Sequence, residues 1–355
     1  MPLDLLDRIE LEGTPLIDAD SVTFVWRGAK APRLVADFNK WEHEGGTLLT
    51  ETQPGLWTLT VDLSQDAYVE YSFMDFSGGE GVQPKRIMDP LNPRKVTSGL
   101  GFYVNYFYMP GKHPTPYTLT GRDVPRGTVT EAMVEDCGLV VGGKRKVYFY
   151  QPPVSEPCPL LVVWDGQDYY RRAKITTIVD NLIHEGSIRP IALAMPEHGK
   201  QARLVEYGAC DVTLGFIGGY VLPLAQKHLN LLDVNAHPGS YGILGASMGG
   251  LMALFAGLRL PHIFGKVFSQ SGAFGWPEMD FVVWDLVKSA DPSKLKIWMD
   301  VGHYEYLHET NCRMLNLLKE RGFDAHLREY YGGHNYTSWR NDLPEGLMAL
   351  FGENA

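Results

Sequence analysis

The chain is poor in cysteine. Its four residues of that type, Cys137, Cys158, Cys210 and Cys312, form no CxxC pair and have no histidine nearby at metal-ligand spacing. That argues against a disulfide framework or a zinc site and makes buried thiols in a reducing cytoplasm the expectation. Positive charge is also short. The 32 Lys and Arg face 42 Asp and Glu, a net charge of -10, which is the wrong sign for broad binding to phosphate backbones. Nucleic acid is not an expected partner. The longest apolar stretch, residues 243–258, is interrupted by Gly245, Ser247, Gly249, Gly250 and Gly257 and is shorter than the roughly 18 residues a membrane span needs. No membrane association is expected. The opening MPLDLLDRIELEG carries acids where a secretory leader carries Lys or Arg, and it has no continuous apolar stretch, so nothing in it marks the chain for export. What is present is a globular composition, 45% hydrophobic and 21% charged over 355 residues, enough for about two domains at roughly 150 residues each.

Two grammars follow one another along the chain. Residues 21–27, 33–36, 56–63 and 69–74 are short β-branched and aromatic segments separated by Gly, Pro or Asp, which predicts a small all-β, immunoglobulin-like sandwich over residues 1–108. Residues 109–127 hold four prolines and three glycines with no apolar period and read as a linker. From 128 to 355 the chain reads as an α/β domain with a mostly parallel sheet. Apolar runs at 147–150, 160–164, 191–195, 241–244, 265–269, 295–301 and 325–330 alternate with helical spacing at 169–185, 215–231, 247–258 and 307–320.

The chemistry-bearing motif is Gly245-Ala246-Ser247-Met248-Gly249-Gly250, between the strand YGIL and the helix LMALFAGLRL. In a GxSxG elbow, small residues two before and two after the serine permit a strained turn that exposes its Oγ at a helix start. A serine hydroxyl needs a base to take its proton. His334, in YGGHN after the last strand, stands where the base of an α/β hydrolase falls in chain order. His326 lies mid-strand, and His303 and His308 lie in the region of the acid. For the acid, Glu305, three residues past Gly302, is preferred to Asp300, which lies within the strand run. The oxyanion hole is assigned to the N–H of Met248 and that of Gly166 or Gln167.

From residue 147 to the C-terminus the chain resembles the esterase D-type hydrolases, and among them the enterochelin (enterobactin) esterases. The stretches that carry this are WDGQDYY, RLVEY at 203–207, GASMGGLMALFAGLRLP, FSQSGAFGW and GGHNYTSWRNDLPEGL; the sandwich with DPLNP at 89–93 is similar to the domain preceding the hydrolase in those enzymes. The resemblance implies a cytoplasmic serine esterase with an α/β-hydrolase fold that opens the ester bonds of a catecholate trilactone siderophore. Ser247 and His334 would be its nucleophile and base and Glu305, more loosely, its acid. The chemistry calls for no metal and no cofactor.

Other readings stay open. VADFNKW at 35–41 is similar to a turn of glycogen-binding modules, so the enzyme could be a feruloyl or acetylxylan-type esterase whose sandwich holds an acylated glycan on Trp26, Trp41 and Trp57; against this, they read as core aromatics. An acyltransferase would carry the same elbow. For the substrate wall the candidates are Trp164, Asp165, Arg203, Glu206 and Arg340, with Arg171, Arg172 and Lys174 as further cations for an anionic ligand such as a ferric catecholate. Arg203 and Glu206, at i and i+3, could instead pair with each other.

Overall fold

Alternating aromatic and β-branched segments near the N-terminus pair into two antiparallel sheets. The computed structural model describes residues 4–41, 46–78, 82–98, 101–121, 123–276 and 279–352. One sheet orders Leu16–Ile17, Ser21–Arg27, Leu56–Asp62 and Thr50–Gln53; the other orders Thr47–Leu48, Arg33–Ala36, Tyr68–Asp75, Tyr103–Tyr108 and Lys95–Thr97, with Lys85–Ile87 also paired to Tyr68–Asp75. Inward side chains of both sheets, among them Val22, Phe24, Leu34, Val69, Tyr71, Phe73 and Phe107, make one apolar core. Phe24 meets Tyr71 and Phe107 at centroid distances of 5.0 and 5.8 Å, spacings at which edge-on aromatic pairs attract.

The second half holds an eight-stranded sheet: β1 (Thr128–Val134), β2 (Arg145–Gln151), β3 (Leu160–Val163), β4 (Ala192–Pro196), β5 (Tyr241–Ala246), β6 (Phe264–Gln270), β7 (Lys296–Gly302) and β8 (Asp324–Tyr330). Their order is β1-β2-β4-β3-β5-β6-β7-β8. The first two pairings are antiparallel, and those from β4 through β3, β5 and β6 to β7 are parallel. The parallel strands β3, β4 and β5 are buried along their whole length, as strands covered on both faces must be. This is the α/β-hydrolase arrangement expected from the strand–helix alternation.

Several elements differ from expectation in detail. The helix expected over 169–185 is two helices, Gly166–Arg171 and Ile175–His184, separated where Lys174 takes φ 53°. That over 215–231 runs as Asp211–Phe216, a π-type turn Ile217–Val221 and Leu222–His228. Strand β1 lies outside the expected apolar runs, because its TVTEAMV sequence is largely exposed and polar. Among the described residues no single helix is long and apolar enough to cross a membrane.

The chain divides into two compact units. The first comprises Met1–Pro114 together with Gly302–Tyr306 and Glu329–Ser338, and the second Thr115–Val301, Leu307–Arg328 and Trp339–Ala355. The segments bearing Glu305 and His334 thus belong by contact to the N-terminal unit.

Candidate active site

Strand β5 ends at Ala246 and the helix Met248–Arg259 begins one residue after Ser247, so Ser247 must turn the chain alone. It takes φ 58° and ψ −121°, a conformation costing a non-glycine residue about 1–3 kcal/mol. Three backbone hydrogen bonds over-determine it: Ser247 N donates to Gln270 O (2.8 Å), and Ser247 O accepts from Leu251 N (3.0 Å) and Ala273 N (3.1 Å). The glycines are required by sterics, since a Cβ on Gly245 would fall on the backbone of Gly249 and one on Gly250 would lie 2.7 Å from Ser269 Oγ. Met248 opens the helix, so its N–H belongs to the first turn, which has no acceptor within an α-helix.

A second strained turn follows β3. Trp164 N donates to Leu244 O (2.8 Å), and Asp165, at φ 54°, starts the helix Gly166–Arg171. Gly166 lies against the backbone of Met195, where a Cβ has no room. Its N–H and that of Gln167 are first-turn donors of the kind an oxyanion hole uses. Arg203, from the short helix Arg203–Tyr207, holds this turn. Its Nε and Nη2 donate to Asp165 Oδ1 (2.7 Å) and Oδ2 (2.6 Å), and Nη2 also donates to Ala246 O (3.0 Å). One guanidinium therefore ties the turn after β3 to the residue preceding Ser247.

The acid–base segments are built in the first unit. Glu305 is buried, and its Oε2 lies 2.6 Å from His334 Nδ1, the charge-assisted contact that holds an imidazole in one tautomer and stabilises its cation. Oε1 accepts from Gly302 N (3.0 Å) and Tyr330 OH (3.3 Å). The two loops meet at Gly302, where any Cβ would strike Gly332 O. His303 N donates to Tyr330 O (2.8 Å) and Tyr304 N to Gly332 O (3.2 Å). The His334 side chain keeps about a quarter of its surface open. Asp300 is buried in β7 and its Oδ2 accepts from Gln270 Nε2 (2.8 Å), while Gln270 Oε1 accepts from Tyr169 OH (2.7 Å). Glu305 is bonded to His334.

The expected substrate wall is placed differently from the sequence reading. Trp164 is 1% exposed and packs on Tyr207 at 5.0 Å, because its position at the strand end turns it into the core. Asp165 is wholly buried under Arg203. Arg203 and Glu206 do not pair with each other. Glu206 is buried, accepting from Arg145 Nη2 (2.7 Å) and Nη1 (3.0 Å) and from Val141 N (2.9 Å). Nothing in the sequence announces Arg145, which lies 61 residues from its partner. Arg171 donates to Tyr148 OH (3.2 Å) and Arg172 pairs with Asp168 (3.5 Å). Arg340 is half-buried on the helix Tyr336–Phe351. In the sandwich, the indole N–H groups of Trp26, Trp41 and Trp57 donate to Lys30 O, Asp37 Oδ1 and Gly28 O, and Trp26 and Trp57 pack against the core.

A family model described as a putative esterase matches residues 139–350. The iron(III) salmochelin esterase of Escherichia coli O6:H1 is 26% identical, over 94% of this chain and 88% of its own. An endo-1,4-beta-xylanase/feruloyl esterase of Xylanibacter ruminicola is 24% identical over 86% of this chain but 42% of its own. The crystal structure of ferric enterobactin esterase from Salmonella typhimurium shares the fold at a TM-score of 0.76 with 22% identity, over 96% of this chain and 95% of that one. The chain belongs to this esterase family, resembles its enterobactin esterases, and is a serine carboxylic-ester hydrolase.

Proposed function

We propose that the enzyme opens the ester bonds of a ferric catecholate trilactone or a closely related aryl ester through an acyl-enzyme. Ser247 Oγ attacks the ester carbonyl while His334 takes its proton. Glu305 stabilises the imidazolium, and the N–H groups of Met248 and of Gly166 or Gln167 receive the charge on the carbonyl oxygen. His334 then returns the proton to the departing alcohol, and water, deprotonated by the same imidazole, releases the acid. The observation carrying this assignment is the 2.6 Å contact between His334 and the buried Glu305. It holds the Nδ1 proton on the Glu305 side and leaves Nε2 as the base.

The substrate class rests on the salmochelin esterase relative, which this chain matches along 94% of its length, the sandwich region included. The feruloyl esterase relative keeps a phenolic acyl ester as the second reading. Arg340 and Lys174 are the cations we assign to an anionic substrate. No disulfide joins the four cysteines, which fits a reducing cytoplasm as the working compartment. A hydrolysis panel decides: a ferric catecholate trilactone, methyl ferulate, an acetylated sugar and a short p-nitrophenyl ester, each with and without an alcohol acceptor. Trilactone cleavage with the highest kcat/KM supports the reading. A higher value for methyl ferulate or the acetylated sugar overturns it, and acyl transfer outrunning hydrolysis would make the enzyme a transferase.

A further inference from the structure

The turn 35–41 in the sandwich holds a carboxylate that the chemistry above leaves without a task. Asp37 opens the 3₁₀ turn Asp37–Asn39 and is 2% exposed. Asn39 locks the turn, accepting from Ala36 N (2.8 Å) and donating to Leu34 O (3.1 Å). Asp37 Oδ1 accepts from Trp41 Nε1 (2.8 Å), and Oδ2 accepts from Glu70 N (2.8 Å) and from Asn335 Nδ2 (3.3 Å). Asn335 follows His334 directly. Gly333 precedes it and lies so close to Asp37 that a Cβ there would fall on the carboxylate. The residues on both sides of the base are thus seated on one buried side chain, while Asn335 Oδ1 accepts from Ser338 N (2.9 Å) at the start of the final helix.

We propose that Asp37 is a positioning residue for His334, clamping Gly333 and Asn335 so that the imidazole stays on Glu305 with Nε2 available to the nucleophile. The turn that resembles a glycan-binding element serves here as part of the hydrolase machinery. Burial drives the Asp37 carboxyl up to about 7, with the nearby Glu305 pushing the same way and the donated hydrogen bonds and His334 opposing it. A buried carboxylate remains in such a place only where its hydrogen bonds hold it.

The inference rests on His334 being the base, and the test separates the two. Steady-state kinetics on a short p-nitrophenyl ester are measured for the full-length wild type, Asp37→Asn, Asn335→Asp, His334→Ala and the double variant Asp37→Asn/His334→Ala, each with its melting temperature. Asp37→Asn presents an NH2 group to donors, and Asn335→Asp keeps the cap on Ser338 N while losing the donor to Asp37. Both should lower kcat by about 10- to 100-fold, the size expected of a base displaced by about 1 Å, with KM within about 3-fold. The double variant should be no slower than His334→Ala, because a residue acting through the base has nothing left to lose. If His334→Ala is itself active, the assignment of the base fails. If it is inactive while the Asp37 and Asn335 variants keep kcat within about 3-fold of wild type, or if the double variant loses the Asp37 factor again, Asp37 does not position His334. Should Asp37→Asn not fold, Asn335→Asp alone decides between the same two outcomes.

Discussion

Replacing Arg203 by Met removes the one guanidinium shared by the turn after β3 and the nucleophile elbow. The side chain of Asp165 is 1% exposed and takes both its oxygens' contacts from Arg203 at 2.7 and 2.6 Å. Stripping one partner from a buried pair costs about 3–5 kcal/mol, and the lost bond to Ala246 O adds about 1 kcal/mol. Methionine keeps most of the apolar stem, so packing loss is small. At about 2–4 °C per kcal/mol for a domain of this size, the melting temperature should fall by roughly 10 °C or more. Activity should fall independently, because Asp165 sets the direction of the Gly166 and Gln167 N–H groups. Loss of an oxyanion donor is worth about 10²- to 10³-fold in kcat, so a p-nitrophenyl ester assay at 25 °C, with folding checked by circular dichroism, should show at least a 10²-fold drop. Asp165→Asn/Arg203→Met removes the stranded charge, and asparagine tolerates the φ of 54° at this position. It should therefore recover much of the stability while leaving kcat low. An Arg203→Met protein within about 2 °C and 3-fold of wild type would refute the reasoning, as would a double variant less stable than either single one.

Ser247→Ala and His334→Ala should each remove activity by on the order of 10⁴-fold, with the double variant little worse, since the pair acts as a unit; multiplying losses in steady-state assays would count against them. Glu305→Gln should cut kcat by roughly 10²- to 10⁴-fold and Asp300→Asn far less, and the reverse order would reassign the acid. Lys266 is pushed down to about 8, by burial first and then by Arg189 and Lys296. Its folded value lies below the unfolded one, so its contribution is present above pH 10.5 and is lost as pH falls through about 8. Lys266→Met should therefore raise the melting temperature at pH 7 and lose that gain near pH 10.5; a gain independent of pH in thermal scans would contradict this.

The elbow is legible in the sequence because its determinants are local: strand, strained serine, glycines at fixed offsets and helix all lie within residues 241–259. The place of His334, in the loop after the last strand, is legible from chain order. Asp300 and Glu305 are harder to tell apart in the sequence, because Asp300 lies in the strand Lys296–Gly302 and Glu305 three residues past it; the contact to His334 Nδ1 is what favours Glu305. Arg203 and Glu206 look like cleft residues in the sequence because their partners, Asp165 and Arg145, lie 38 and 61 residues away, and sequence spacing reports only neighbours on the same helix. The break at Lys174 is equally hidden, since a lysine carries no signal for a left-handed backbone. In the sandwich, Ser21–Arg27, Arg33–Ala36 and Leu56–Asp62 follow the expected runs, but strands of two or three residues are too short to show a period.

The hydrogen bond between Asn335 and Asp37 joins residues 298 positions apart. A ribosome releases the sandwich segments first, and domains generally fold as they emerge, so Val22, Phe24, Tyr71 and Phe107 can collapse while most of the chain is unmade. The seat around Asp37 must then wait, occupied by solvent or by transient contacts, until Gly333 and Asn335 are translated about 300 residues later. Closing so long a loop costs entropy that no earlier local contact offsets. A nascent or truncated chain therefore carries the serine elbow before residues 333–335 can reach the seat around Asp37, and the loop that bears His334 is seated only after the elbow has been made.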